Sequence, residues 1–88
     1  MKIIKIGAIW CAECIVMNSV WGEIKSELTD LNLESFDIDD DLEIQVKYNI
    51  KDIPVYIFLN KENKEFLRLK GAQNKKELLN IIKSNINN

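Results

Sequence analysis

The sequence contains no histidine, and this absence limits the chemistry available to the chain. Without an imidazole there is no histidine general base and no histidine metal ligand. The chain has two cysteines, too few for a disulfide scaffold, and only one proline. No apolar run approaches the roughly 20 residues of a membrane-spanning helix. These absences exclude histidine-dependent catalysis, a disulfide scaffold and a transmembrane helix.

The charge balance is mildly acidic, with 12 Lys and Arg against 14 Asp and Glu. Because the lysines are scattered, the chain lacks the positive surface with which proteins bind nucleic-acid phosphates. Residues 1–6 lack the longer apolar stretch and small-residue cleavage site of a secretory signal. We therefore expect a cytoplasmic monomer that binds neither nucleic acid nor membrane.

The length and the hydrophobic pattern predict one α/β domain over residues 1–88, with the element order β-α-β-α-β-β-α. Strands are expected over 2–6, 33–38, 55–59 and 65–70. A first helix starts at Cys11 and continues to Leu28, a short one covers 42–48, and the last extends from Asn74 to Ile86. Strands joined through helices should be parallel, and the last two strands should form an antiparallel hairpin. The sheet is therefore predicted to be mixed, with helices on both faces.

Cys11-Ala12-Glu13-Cys14 lies where the first strand ends and the first helix begins. Backbone N–H groups at a helix N-terminus favour thiolate over thiol, and the thiolate is the nucleophile of thiol–disulfide exchange. This interpretation makes Cys11 the attacking cysteine and Cys14 the resolving one. Two other interpretations stay open, because free cysteines also act as small buried hydrophobes or as metal ligands.

Three separated segments resemble the thioredoxin family, in the order and with the intervals of that family. They are Trp10-Cys11-Ala12-Glu13-Cys14, then Lys47-Tyr48-Asn49-Ile50-Lys51-Asp52-Ile53-Pro54, then Gly71-Ala72. The resemblance covers nearly the whole chain, without the first strand and helix of full-length members. It implies the thioredoxin fold, with a four-stranded mixed sheet, and a thiol–disulfide oxidoreductase that reduces protein disulfides. It implies no cofactor besides the redox-active Cys11–Cys14 disulfide.

The resemblance also implies roles for the residues around the dithiol. Pro54 would be the cis-proline that faces the cysteines, and the backbone of Ile53 would pair with an extended substrate segment. The remaining substrate-binding residues would be Trp10, Ala12, Glu13, Gly71 and Ala72. The implied partners are disulfide-containing target proteins and an electron donor, either a thioredoxin-reductase-type enzyme or a low-molecular-weight thiol.

The chain departs from the family pattern at several positions. Glu13 places a carboxylate beside the dithiol, which disfavours the thiolate, so we expect a reducing rather than an oxidising protein. Lys70 adds a charge to the expected docking face. A buried aspartate of the family aligns with Lys5, and its lysine partner aligns near Ser35. We expect Lys5 to point to solvent, and water or Glu13 to assist the exchange.

Two alternative functions compete with this interpretation. A glutathione-dependent, glutaredoxin-like enzyme would have a basic residue where the chain has Ile15, and an acidic residue after Gly71, where the chain has Ala72-Gln73-Asn74. A soft-metal carrier could bind Cu(I) through the two thiolates. Such carriers have the order β-α-β-β-α-β, which differs from the predicted order.

Overall fold

The computed structural model describes residues 1–87, so Asn88, the last residue of the predicted domain, lies outside the described residues. Its elements are β1 (Lys2–Gly7), α1 (Ala12–Glu27), β2 (Asn32–Asp37), α2 (Leu42–Lys47), β3 (Val55–Leu59), β4 (Glu65–Lys70) and α3 (Lys75–Ser84). The predicted element order is confirmed. None of these three helices is long and apolar enough to cross a bilayer.

The four strands form one mixed sheet in the order β2-β1-β3-β4. Strand β1 is parallel to β2 and antiparallel to β3, and β3 is antiparallel to β4. The mixed sheet and the β3–β4 hairpin are thus confirmed.

The expectation that every helix joins parallel strands is wrong for α2, since β3 runs opposite to β2. Helix α2 has only six residues, about 9 Å at 1.5 Å per residue. A six-residue strand is about 20 Å long, so α2 is too short to return the chain to the start of β2. The chain stays at one end of the sheet, where Val55 begins β3 opposite Ile6.

Helices cover both faces of the sheet, as predicted. Strand β3 is buried along its whole length, because its side chains alternate between two apolar layers. On one face Tyr56 and Phe58 pack with Trp21 of α1 and Leu78 of α3. On the other face the α2 side supplies Ile44, Tyr48 and Ile50, which pack against Ile4, Ile6, Val55, Ile57 and Leu59.

The guanidinium of Arg68 on strand β4 forms a hydrogen bond with Tyr48, the C-cap residue of α2. Its Nη1 donates to the carbonyl oxygen of Tyr48 at 2.8 Å, and its Nε and Nη2 each donate to Glu65 at 2.7 Å. Bidentate pairs of this kind are geometrically specific as well as charge-assisted. The contact therefore anchors the start of the segment 49–54 that leads to Pro54.

The last helix is shorter than predicted. Helix α3 ends at Ser84, and Ile86 lies beyond it with 54% of its surface exposed. Asn85 is the C-cap residue and has non-helical dihedral angles. Its backbone N–H donates a hydrogen bond to the carbonyl oxygen of Ile82, three residues earlier. Asparagine favours such ends because its side chain competes for backbone hydrogen bonds.

We expect Asn74→Ala to lower the free energy of unfolding by about 1 kcal/mol. The Asn74 side chain caps α3, accepting from the backbone N–H groups of Lys76 at 2.8 Å and Glu77 at 3.3 Å. Asn80→Ala, at an exposed position inside the same helix, is the control and should be neutral or slightly stabilising. Urea unfolding measures both variants, and equal stability of the two would contradict the capping role.

Candidate active site

Cys11 occupies the N-cap of α1, with extended dihedral angles of φ −92° and ψ 114°. Its Sγ accepts a hydrogen bond from the backbone N–H of Cys14 at 3.2 Å. That N–H belongs to the first helical turn, whose donors have no partner within the helix. Both cysteines are free thiols, and Cys11 is the partly exposed one. The helix N-terminus therefore offers a hydrogen-bond donor to the sulfur that solvent can reach.

Cys14 lies one turn further along α1 and is only 5% exposed. It packs against the end of β1, where a Cβ added to Gly7 would lie 2.9 Å from the Cys14 Sγ. Burial and the hydrogen bond with Cys11 raise the pKa of the Cys14 thiol to about 11, while a backbone hydrogen bond at Ala8 and the charge of Lys5 act in the opposite direction. At neutral pH Cys14 is therefore a protonated, sheltered thiol.

Pro54 is buried and lines the same cleft as Cys14. The Ile53–Pro54 peptide bond is cis. The backbone N–H of Gly71 donates to the carbonyl oxygen of Pro54 at 2.7 Å. Gly71 has a φ of +81°, which favours glycine. The fold thus joins the segment that ends at Pro54 to the segment that begins at Gly71. In these segments Ile53 is half-buried and Ala72 is exposed.

The segment around the dithiol is apolar and open. Trp10 is 66% exposed, and its indole Nε1 donates to Asp39 Oδ2 at 2.7 Å. Ile9, Ile15 and Val16 are exposed as well. Ala12 and Glu13 are exposed between the cysteines. The Glu13 Oε2 lies 3.8 Å from the point a Cβ on Gly71 would occupy, so this carboxylate lies beside Gly71.

The expectation that Lys5 points to solvent is wrong. Lys5 is half-buried, its Nζ donates to Asn18 Oδ1 on α1, and it lines the cleft of about 640 Å³ that Cys14 also lines. Strand alternation explains this direction, because Lys5 shares the α1 face with Ile3 of the core. Ser35 is its neighbour on β2. Burial lowers the pKa of Lys5, and its attraction to Cys14 partly offsets that effect.

Three residues of the site were not singled out from the sequence. Gly7 directly follows the predicted first strand, and a glycine two positions before an exposed segment and a Cys-x-x-Cys is a usable signal. Asp39 lies between the predicted second strand and the short helix, and Tyr56 lies inside the predicted third strand, so neither position was marked by a motif. Tyr56 lines the cleft beside Cys14, and burial raises the pKa of its hydroxyl to about 12.

Within residues 1–87 no group of three or more cysteine, aspartate or glutamate side chains is arranged to hold a metal ion.

A family model described as Thioredoxin matches residues 1–84. The chain belongs to the thioredoxin family. Thioredoxin H5 of Oryza sativa subsp. japonica is 31% identical over 70 residues, covering 80% of this chain and 51% of that protein. The chain therefore spans about half the length of this curated relative.

Solved thioredoxins share the fold. The crystal structure of thioredoxin NaTrxh from Nicotiana alata superposes with a TM-score of 0.85 at 26% identity, covering 94% of this chain and 70% of that one. Thioredoxin from Fasciola hepatica gives a TM-score of 0.84 at 25% identity, covering 94% and 78%. The thioredoxin fold predicted for this family member is confirmed.

We expect Gly7→Ala to destabilise the protein by roughly 1–3 kcal/mol, because the new methyl group would overlap the Cys14 sulfur. Gly22→Ala is the control, since a Cβ there meets nothing within 4 Å. Gly22 lies inside α1, so alanine should stabilise by about 0.5–1 kcal/mol. Urea unfolding measures both changes. A Gly7→Ala variant as stable as the wild type would contradict the close packing of Cys14.

Proposed function

We propose that this thioredoxin-family chain is a thiol–disulfide oxidoreductase that reduces protein disulfides by dithiol exchange. The observation that carries the proposal is the asymmetry of the two cysteines. Cys11 caps the open end of α1 and is partly exposed, while Cys14 is buried one turn behind it. Family membership supports the same class of activity.

The first step of the proposed reaction belongs to Cys11. Its thiolate attacks one sulfur of a target disulfide, forming a mixed disulfide with the target. The other target sulfur leaves with the electron pair of the broken bond and takes a proton from water. The backbone N–H of Cys14, 3.2 Å from the Cys11 Sγ, supports the anionic form of the attacking sulfur.

The second step belongs to Cys14. Its thiol loses a proton, and the thiolate attacks the Cys11 Sγ, which forms the Cys11–Cys14 disulfide and releases the second target thiolate. Burial raises the pKa of the Cys14 thiol, so the attacking thiolate is a minor form at neutral pH. A reductase-type enzyme or a low-molecular-weight thiol then returns the disulfide to the dithiol.

The docking surface proposed for the target surrounds Cys11. It consists of Trp10, Ala12, Glu13, Ile53, Pro54, Gly71 and Ala72. The cis-peptide segment and the positive-φ glycine are joined by the Gly71–Pro54 hydrogen bond of 2.7 Å, which supports a single preformed surface. An extended target segment would pair with the backbone of Ile53 as an added strand.

We expect Cys14→Ser to accumulate a mixed disulfide between Cys11 and a disulfide-bonded target such as insulin, because the resolving thiol is absent. Cys11→Ser is the matched control and should trap little, since its remaining thiol is buried. Non-reducing electrophoresis and mass spectrometry of the adduct measure the trapping. Trapping by Cys11→Ser instead would reverse the assigned roles, and trapping by neither would refute the proposed reaction.

We expect Glu13→Gln to raise the reduction potential of the Cys11–Cys14 pair by roughly 10–20 mV, equivalent to about 0.5–1 kcal/mol. Removing the carboxylate stabilises the thiolate and hence the reduced form. Glu23→Gln, an exposed position further along α1, controls for net charge and should leave the potential unchanged. Equilibration in dithiol–disulfide buffers followed by thiol alkylation and mass measurement gives the potentials. An unchanged or lower potential for Glu13→Gln would refute this role.

A further inference from the structure

Lys5 lies in the cleft that Cys14 also lines, and it has no role in the two reaction steps proposed above. It lies on the inner strand β1, paired with Ser35 of β2 on one side and Tyr56 of β3 on the other. Its ammonium donates to Asn18 Oδ1 on α1, the helix that also carries Cys14. The side chain thus bridges strand and helix on the face where the Cys14 thiol is buried.

The other charged and titratable groups facing this cleft are acidic. The end of β2 and the segment that follows it contribute Asp37, Asp40 and Asp41, and β3 contributes Tyr56. Helix α1 contributes Cys14 itself, with Cys11 and Glu13 nearby. Among the described residues that line the cleft, Lys5 is the only one with a positive side chain.

A negative charge on Cys14 is formed in unfavourable surroundings. Burial of the sulfur and its interaction with Cys11 both raise the pKa of the Cys14 thiol. Lys5 acts against them, because its charge lowers the pKa of the Cys14 thiol. The effect is reciprocal, since Cys14 raises the pKa of Lys5.

We infer that Lys5 is a positioning residue for the second step of the reaction, where its ammonium, held by Asn18, stabilises the Cys14 thiolate. The inference rests on the proposed dithiol function. In this step the Cys14 thiol gives its proton to water, and the S–S bond to Cys11 forms from the Cys14 electron pair. The bond between the Cys11 Sγ and the target sulfur breaks, and the target sulfur leaves with the electron pair of that broken bond. Lys5 keeps its proton throughout.

The two steps can be observed separately with Ellman's reagent in single-turnover stopped flow. Attack by Cys11 releases one thionitrobenzoate in the first phase, and attack by Cys14 releases a second one in the next phase. The proposed function requires a first phase in the wild type and its loss in Cys11→Ser. If the wild type shows no first phase, or if Cys11→Ser keeps it, the proposed function fails. If the wild type shows both phases, the rate of the second phase and its pH dependence test the role of Lys5.

We expect Lys5→Met to slow the second phase about three- to tenfold at pH 7 and to move its pH profile upward by a corresponding 0.5–1 unit. The first phase should be unchanged. Lys5→Arg keeps the positive charge and should restore most of the rate. Asn18→Ala removes the acceptor without changing the charge, and should produce a smaller slowing of the same phase.

Lys64→Met is the charge-matched control, because Lys64 lies in the exposed turn between β3 and β4. It should leave both phases unchanged. Lys5→Gln is a second neutral variant in case Lys5→Met is poorly folded, and circular dichroism checks both. The inference is overturned if the neutral variants keep the wild-type pH profile of the second phase, or if they slow both phases equally.

Discussion

Close contact between the Cys14 sulfur and the backbone of Gly7 is the constraint on which the geometry of this site depends. Helix α1 can approach the end of strand β1 only because residue 7 has no side chain. That approach buries Cys14 and leaves Cys11, one turn earlier, at the open helix end. The different environments of the two thiols therefore arise from one contact between the first strand and the first helix.

Short-range patterns predicted the elements well, because alternation and helical periodicity depend on neighbouring residues. The five residues of β3 and the start of the last helix at Asn74 are examples. The direction of β3 was not predictable in this way, since it depends on the length of α2 relative to the strands. Lys5 was misplaced for a similar reason. The packed helix α1 brings Asn18 to its ammonium, although the two residues lie 13 positions apart in the chain.

The candidate residues of the site come from the Cys-x-x-Cys spacing and from the resemblance of three segments to one family. Neither the motif spacing nor the resemblance predicts contacts between positions that are distant in the sequence. The hydrogen bond from Trp10 to Asp39 joins residues 29 positions apart, and no local signal marks Asp39. The chain as a whole has a net charge of only −2, but the fold places Asp37, Asp40 and Asp41 in the cleft that Cys14 lines. Sequence composition does not reveal such a local concentration.

The two tryptophans lie in contrasting surroundings. Trp10 is 66% exposed beside the dithiol, whereas Trp21 is 2% exposed, with its ring centroid 5.1 Å from that of Tyr56. An indole in water emits at longer wavelength than one in an apolar core. The red side of the intrinsic fluorescence spectrum therefore reports on the neighbourhood of the sulfurs, and the blue side on the packing of the core. One spectrum of the unlabelled protein distinguishes an event at the dithiol from a loss of the fold.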